Sequence, residues 1–203
     1  MKKMMAALLC AMACAGMSAQ DKYCYTYADY KSGKWEELDT IVVSERSVSW
    51  RYWAGDADYK VKTGSKSFDR LLDKKVRIVM LRDSSLYVNC RGLKVEGHSF
   101  GNGFARGYRY GDKILFEAKR NDDEGVDQQG KGGYLGAVIG QVDRSCYVLD
   151  SDEKKVVRID EPYMEKLLRD YPGELRKYRF EDKSEREKSY LVIRILKKIG
   201  LIK

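Results

Sequence analysis

The hydrophobic pattern changes period once, at Asp160, and that change limits the possible folds more than any other feature. Before it, apolar and β-branched residues recur every second position; after it they recur at three and four. Strands are expected at Leu38–Val43, Ser47–Trp53, Tyr59–Lys62, Val76–Leu81, Leu86–Cys90, Ile114–Ala118, Cys146–Leu149 and Val156–Ile159. Tyr23, Tyr25 and Tyr27 alternate in the same way ahead of them. Asp83-Ser84-Ser85 and Asp150-Ser151-Asp152 turn two pairs of these runs into hairpins. Ser67 to Leu72 offers one helical turn, and Gly97 to Gly111 is rich in glycine and aromatics. Beyond the switch, Asp160 is a helix N-cap and Pro162 is tolerated in the first turn. Met164, Leu167, Leu168 and Tyr171 share one helical face, and Pro172-Gly173 ends that helix. A second helix is expected over Glu174–Glu181. A third starts near Ser184, with Leu191, Val192, Ile195, Leu196 and Ile199 on one side, and Gly200 stops it. The pattern specifies an α+β fold: a mainly antiparallel β domain followed by two to three C-terminal helices. One domain spans 20–203, with a β-rich part (20–159) and a helical part (160–203).

Residues 1–19 read differently. Lys2 and Lys3 precede an apolar run from Met4 to Ala15; small residues follow, and polarity begins at Gln20. This is the layout of a secretory signal peptide, cut between Ala19 and Gln20. The run is too short for a membrane span, which needs roughly 20 apolar residues. Ala11-Met12-Ala13-Cys14 weakly resembles a lipoprotein cleavage box, which makes a lipidated Cys14 the alternative. Removal of the segment leaves Cys24, Cys90 and Cys146 of the five cysteines. An exported chain can oxidise, so Cys90 and Cys146 are either two buried residues or one disulfide. The formal net charge is +8. Seven basic residues against two acidic ones fall between Lys183 and Lys203, so the rest of the mature chain is nearly balanced. That distribution argues against a nucleic-acid-binding surface across the domain.

Catalytic and cofactor motifs fail on context. Gly125-x-x-x-x-Gly130-Lys131 lacks the Ser or Thr of a phosphate loop, and Asn121-Asp122-Asp123-Glu124 before it is acidic. The small-residue spacing Gly132, Gly136, Gly140 suits a short packed segment or a loop after Lys131. His98 is the only histidine and lies among Gly97, Ser99 and Gly101. Glu36, Glu37 and Asp39 would be the paired carboxylates of a hydrolase, or simply a solvated face. No spacing suggests zinc or calcium, and no cofactor is expected. The aromatic cluster from Tyr23 to Tyr59 carries the clearest binding signal. Trp35, Trp50, Tyr52 and Trp53 are its candidate ligand platform, against the alternative that they are cross-strand core pairs. The basic last helix either docks on anionic lipid or packs its apolar stripe on the sheet.

Asp83-Ser-Ser-Leu-Tyr-Val-Asn-Cys-Arg-Gly-Leu93, Phe100-Gly-Asn-Gly-Phe104, Arg109-Tyr110-Gly111, Cys146-Tyr-Val-Leu-Asp150 and Tyr163-Met-Glu-Lys-Leu-Leu-Arg-Asp170 occur in that order. Their order and spacing resemble an uncharacterised family of exported proteins, a domain of unknown function, from gut Bacteroidota. The resemblance covers roughly Val76 to Tyr171. It implies export and a bacterial envelope setting, and it carries no active site. The expectation is an exported, non-enzymatic envelope or periplasmic protein that binds a protein or glycan partner. A membrane-associated protein, through the last helix or Cys14, is the second expectation. A hydrolase using the aromatic face is the third.

Overall fold

The computed structural model describes residues 20–47, 50, 57–119, 144–150 and 155–203. Among these, antiparallel pairing joins ten strands into one sheet. Its main path runs β12 (Lys155–Arg158), β11 (Arg144–Asp150), β10 (Lys113–Lys119), β9 (Phe104–Tyr110), β6 (Leu86–Asn89), β5 (Ile78–Met80), β1 (Asp21–Cys24) and β2 (Glu36–Leu38). The branch of β3 (Val42–Glu45) and β4 (Tyr59–Lys62) joins β9 where Tyr59 faces Phe104. A separate hairpin pairs β7 (Lys94–Val95) with β8 (His98–Ser99). The period switch falls where the sequence places it. Helices α3 (Glu161–Leu167), α4 (Pro172–Phe180) and α5 (Ser189–Lys198) follow the last strand. The fold is therefore α+β, a mostly antiparallel sheet followed by C-terminal helices.

Register assigns each strand residue to a face, because side chains alternate. Leu86 faces Gly107 and Gly107 faces Phe116, which faces Tyr147, so these four point one way. That face carries a core of Cys24, Ile78, Val88, Cys90, Phe116, Tyr147 and Leu149, closed by Tyr27, Leu93 and Phe100. The opposite face carries two cores. One holds Tyr23, Val79, Phe104 and Leu72, the last from helix α2 (Lys66–Lys74). The other packs Leu115, Cys146 and Val148 against Met164, Leu168, Tyr178, Leu191, Val192, Ile195 and Leu196. The apolar stripe of α5 is thus spent on the sheet, and Arg194 and Lys198 point outward.

Three local readings change. The tyrosine alternation suggests a strand through Tyr27, but the chain turns into helix α1 (Tyr27–Lys31). Thr26 and Asp29 form a reciprocal capping box there, which satisfies two backbone donors that a strand would leave to its neighbour. The run Leu38–Val43 is split between β2 and β3, because Asp21 Oδ2 accepts the Ile41 amide at 2.6 Å and pins a bend between them. The stretch Gly97–Gly111 contains β9, a seven-residue strand at the centre of the sheet.

Gly103 shows how tightly β9 begins. Its φ is +107°, and a Cβ there would stand 2.9 Å from the Tyr59 carbonyl oxygen. Gly103→Ala therefore combines backbone strain with a clash against main chain. A loss of about 2–4 kcal/mol is expected, read from the urea midpoint.

Candidate functional site

The polar groups that converge lie on the helix-covered face, between its two cores. Tyr59, Tyr87, Arg106, Tyr108, Glu117 and Arg144 come from five adjacent strands. Five of them are fixed by register: Tyr59 beside Phe104, Tyr87 opposite Arg106, Tyr108 opposite Leu115, and Glu117 opposite Cys146. Tyr87 is buried, and Tyr59, Arg106, Tyr108, Glu117 and Arg144 are half-buried.

Aromatic rings build the floor. Tyr59 and Tyr87 meet edge to face at 5.2 Å between centroids. The Arg106 guanidinium lies 5.1 Å from the Tyr87 ring and 6.0 Å from the Tyr108 ring. Its Nη1 donates to the Tyr87 hydroxyl at 2.9 Å. Lys197 reaches in from α5, with Nζ 5.3 Å from the Tyr108 ring centre. The Tyr108 hydroxyl donates to Glu117 Oε1 at 3.4 Å, a long bond. Burial, reinforced by the Glu117 charge, holds the Tyr108 hydroxyl above the ordinary tyrosine range, so it stays a neutral donor.

One end of this strip is closed by carboxylates. Arg144 Nη2 pairs with Glu45 Oε1 at 3.2 Å. Its Nε faces Asp58 Oδ2 at 3.1 Å as an ion pair that lacks the alignment of a hydrogen bond. Asp58 is only 3% exposed, so the arginine charge offsets a desolvated carboxylate. At the other end, Arg106 and Lys197 have no carboxylate partner among the described residues. Asp83 acts on Arg106 only through its charge, without a contact ion pair, so two cations rest on tyrosine rings with donors still open to an anion.

The sequence-derived candidates are dispersed. Trp35 is half-buried at the edge of the core and meets Tyr30 edge to face at 5.8 Å. Trp50 is on the surface, 53% exposed, with the Arg46 guanidinium 5.9 Å from its ring centre. Tyr52 and Trp53 lie outside the described residues, so the four-residue platform is not assembled by what is described. Ala19, Cys14 and the stretch Gly125–Val142 also lie outside, and Gln20 is the first described residue. His98 is exposed on the β7–β8 hairpin opposite Val95. Glu36 accepts from the Tyr23 hydroxyl at 2.8 Å, and Glu37 pairs with Lys22 at 3.0 Å. Neither carboxylate is held for catalysis with the other. Among the described residues no group of three His, Cys, Asp or Glu side chains could hold a metal ion, and no helix is long and apolar enough to cross a membrane.

Pairing of Cys90 with Cys146 is corrected by the sheet. Both are free thiols, and they sit on opposite faces in separate cores. Cys90 Sγ donates to the Val88 carbonyl at 3.7 Å and Cys146 Sγ to the Ser189 carbonyl at 3.8 Å. Burial raises both thiols well above the ordinary range and pushes Cys24 up to about 12. Thiols without thiolate character are poor nucleophiles. Cys24, Cys90 and Cys146 of the folded mature protein are therefore expected to resist DTNB at neutral pH and to react fully in guanidinium. Fast labelling of any of the three in the native state would contradict this packing.

A model of a family of unknown function, DUF6563, matches residues 22–203. The chain belongs to this family. The match takes in every strand from β2 onward and all three C-terminal helices, so the family's defining region contains the whole tyrosine–arginine strip. Comparison with curated proteins and with solved structures finds no match.

The strip was not among the candidates read from the sequence. A signal for it exists in Phe104-Ala-Arg-Gly-Tyr-Arg-Tyr110: alternate residues put Arg106 and Tyr108 on the side of Phe104. An arginine and a tyrosine on the same face of a central strand need an explanation that a bare apolar core does not supply.

Proposed function

We propose that this protein is an exported binding module of the bacterial cell envelope, without catalytic activity, that engages its partner through the tyrosine–arginine strip. The observation that carries the reading is the convergence of three tyrosines, two arginines and a glutamate between two apolar cores. Half-buried tyrosines give contact area at low entropic cost, and charged groups beside them fix orientation. The N-terminal pattern of the sequence supports export, and Gln20 is the expected first residue of the mature chain.

Two measurements test this. Intact mass of exported protein should correspond to a start at Gln20; a start at Cys14 carrying acyl chains would replace a soluble protein with an anchored one. A panel of immobilised envelope glycans and peptides should yield binding that Tyr108→Ala removes and Trp50→Ala leaves intact. The opposite dependence would move the site to Trp50.

A membrane-surface role is the second reading. It draws on Phe180, 85% exposed beside Arg176 and Arg179 on α4. The outward cations of α5 support it less, since Arg194 and Lys198 are already paired with Glu181 and Glu174. Co-sedimentation with anionic liposomes that Phe180→Ser abolishes would favour it.

A further inference from the structure

We infer that the strip recognises an acidic saccharide, with the anionic group of the ligand held between Arg106 and Lys197 over the Tyr108 ring. The inference rests on the reading of the strip as the binding face and adds the chemical class of what binds there.

Surface arginines and lysines of this chain commonly meet carboxylates: Arg91 meets Asp73, Arg158 meets Glu187, Arg179 meets Glu165, and Lys198 meets Glu174. Among the described residues Arg106 and Lys197 form no such ion pair, although the Asp83 charge acts on Arg106. Arg106 instead has Nη1 bound to the Tyr87 hydroxyl and its plane near two rings. A guanidinium has five N–H donors in a fixed fork, so one bond to a tyrosine leaves most of them for a ligand. Such a fork matches a carboxylate or phosphate in two parallel bonds. The Tyr87 bond orients it before anything binds, which lowers the ordering cost of association.

The groups around the cations favour a saccharide. Glu117 lies across from Arg106 on the neighbouring strand and accepts only a long bond, from the Tyr108 hydroxyl. An ionised carboxylate has acceptor sites for several more donors. Sugar hydroxyls are donors that would fill them, whereas the side chain of an acidic peptide would bring only like charge. The tyrosine rings offer apolar faces beside these polar groups, which suits the C–H faces of a sugar ring. The cations thus take an anion, and Glu117 beside them takes hydroxyls of the same ligand.

The test uses the full mature protein with ring-labelled tyrosine and calorimetry. The probes are an oligogalacturonate, a neutral galactose oligomer of equal length, a glutamate-rich peptide and inorganic phosphate. The oligogalacturonate should shift the Tyr59, Tyr87 and Tyr108 ring signals and bind at least about tenfold tighter than the neutral oligomer. Arg106→Gln and Lys197→Gln should each remove most of that difference while the melting curve stays in place. Arg106→Lys, which keeps the charge and loses the fork, should recover it only in part. Added salt should weaken the acidic probe and not the neutral one. Equal affinity for the neutral oligomer at the same rings would overturn the acidic class and leave the binding face standing. Tighter binding of the peptide, or equal binding of phosphate alone, would overturn the saccharide. No ring shift with any probe would remove the binding face itself.

Discussion

Leu191→Asp is expected to leave the protein largely unfolded at 37 °C. Leu191 is 1% exposed and packs with Met164, Leu168, Val192, Ile195 and Leu196 against the sheet. The substitution loses about 2–3 kcal/mol of apolar burial. It also places a carboxylate in an apolar seam, at a further cost of several kcal/mol or a proton taken up to avoid it. Domains of this size are stable by only about 5–15 kcal/mol, so the two together consume most of the margin. Thermal melts by circular dichroism would show the loss. Lys198→Glu is the control: Lys198 is outward-facing, and its exposed pairing with Glu174 should barely affect the melt. A reversed order, with Lys198→Glu harmful and Leu191→Asp tolerated, would mean that α5 is not docked on the sheet.

Phe116→Ala is expected to cost about 3–5 kcal/mol. Phe116 is fully buried on β10 at the centre of an aromatic trio. Its ring centroid lies 5.3 Å from Phe100 and 5.6 Å from Tyr147, and those two meet edge to face at 4.8 Å. Truncation opens a cavity that Phe100 cannot fill without leaving Tyr147. Phe116→Leu keeps much of the volume and should cost clearly less, and the difference between the two variants isolates the cavity. Urea titration gives both values, and the near-ultraviolet signal of the trio should fall in each. Equal, small effects would mean that this face of the sheet is not closed by the loop that carries Phe100.

Much of this architecture is written locally. Val76–Leu81 and Leu86–Cys90 show strand periodicity without help from distant residues, and Asp160 announces the first C-terminal helix by a cap that the structure forms, Tyr163 N donating to Asp160 Oδ1 at 2.8 Å. Elements were hidden where two local signals compete. The tyrosine alternation at Tyr23–Tyr27 conceals the Thr26–Asp29 capping box, and capping prevails because it satisfies backbone donors within the segment. In β9, Gly107 interrupts the pattern. It is there because Val88 Cγ2 and Leu86 Cδ2 would stand 3.1 and 3.4 Å from any Cβ. That reason lies on another strand and cannot be read from the glycine.

The candidate site was legible only in parts, for the same reason. Tyr59, Tyr87, Arg106 and Glu117 are spread along the chain, and only sheet register brings them to one face. Register likewise decides the cysteines. Cys90 follows Leu86 and Val88 onto one face, while Cys146 is opposite Glu117 on the other, and a shift of one residue would have reversed either. The tryptophans attract attention because they are rare and close in sequence, yet Trp35 is turned to the core edge and Trp50 to solvent.

Ring-resolved NMR titration of the mature protein with a fractionated envelope glycan extract tests the tyrosine–arginine strip as the binding face. Shifts are expected at Tyr59, Tyr87 and Tyr108 that saturate together, with the Trp35 and Trp50 indole signals unmoved. Saturating shifts confined to the indole signals, with the three tyrosine rings silent, would contradict it.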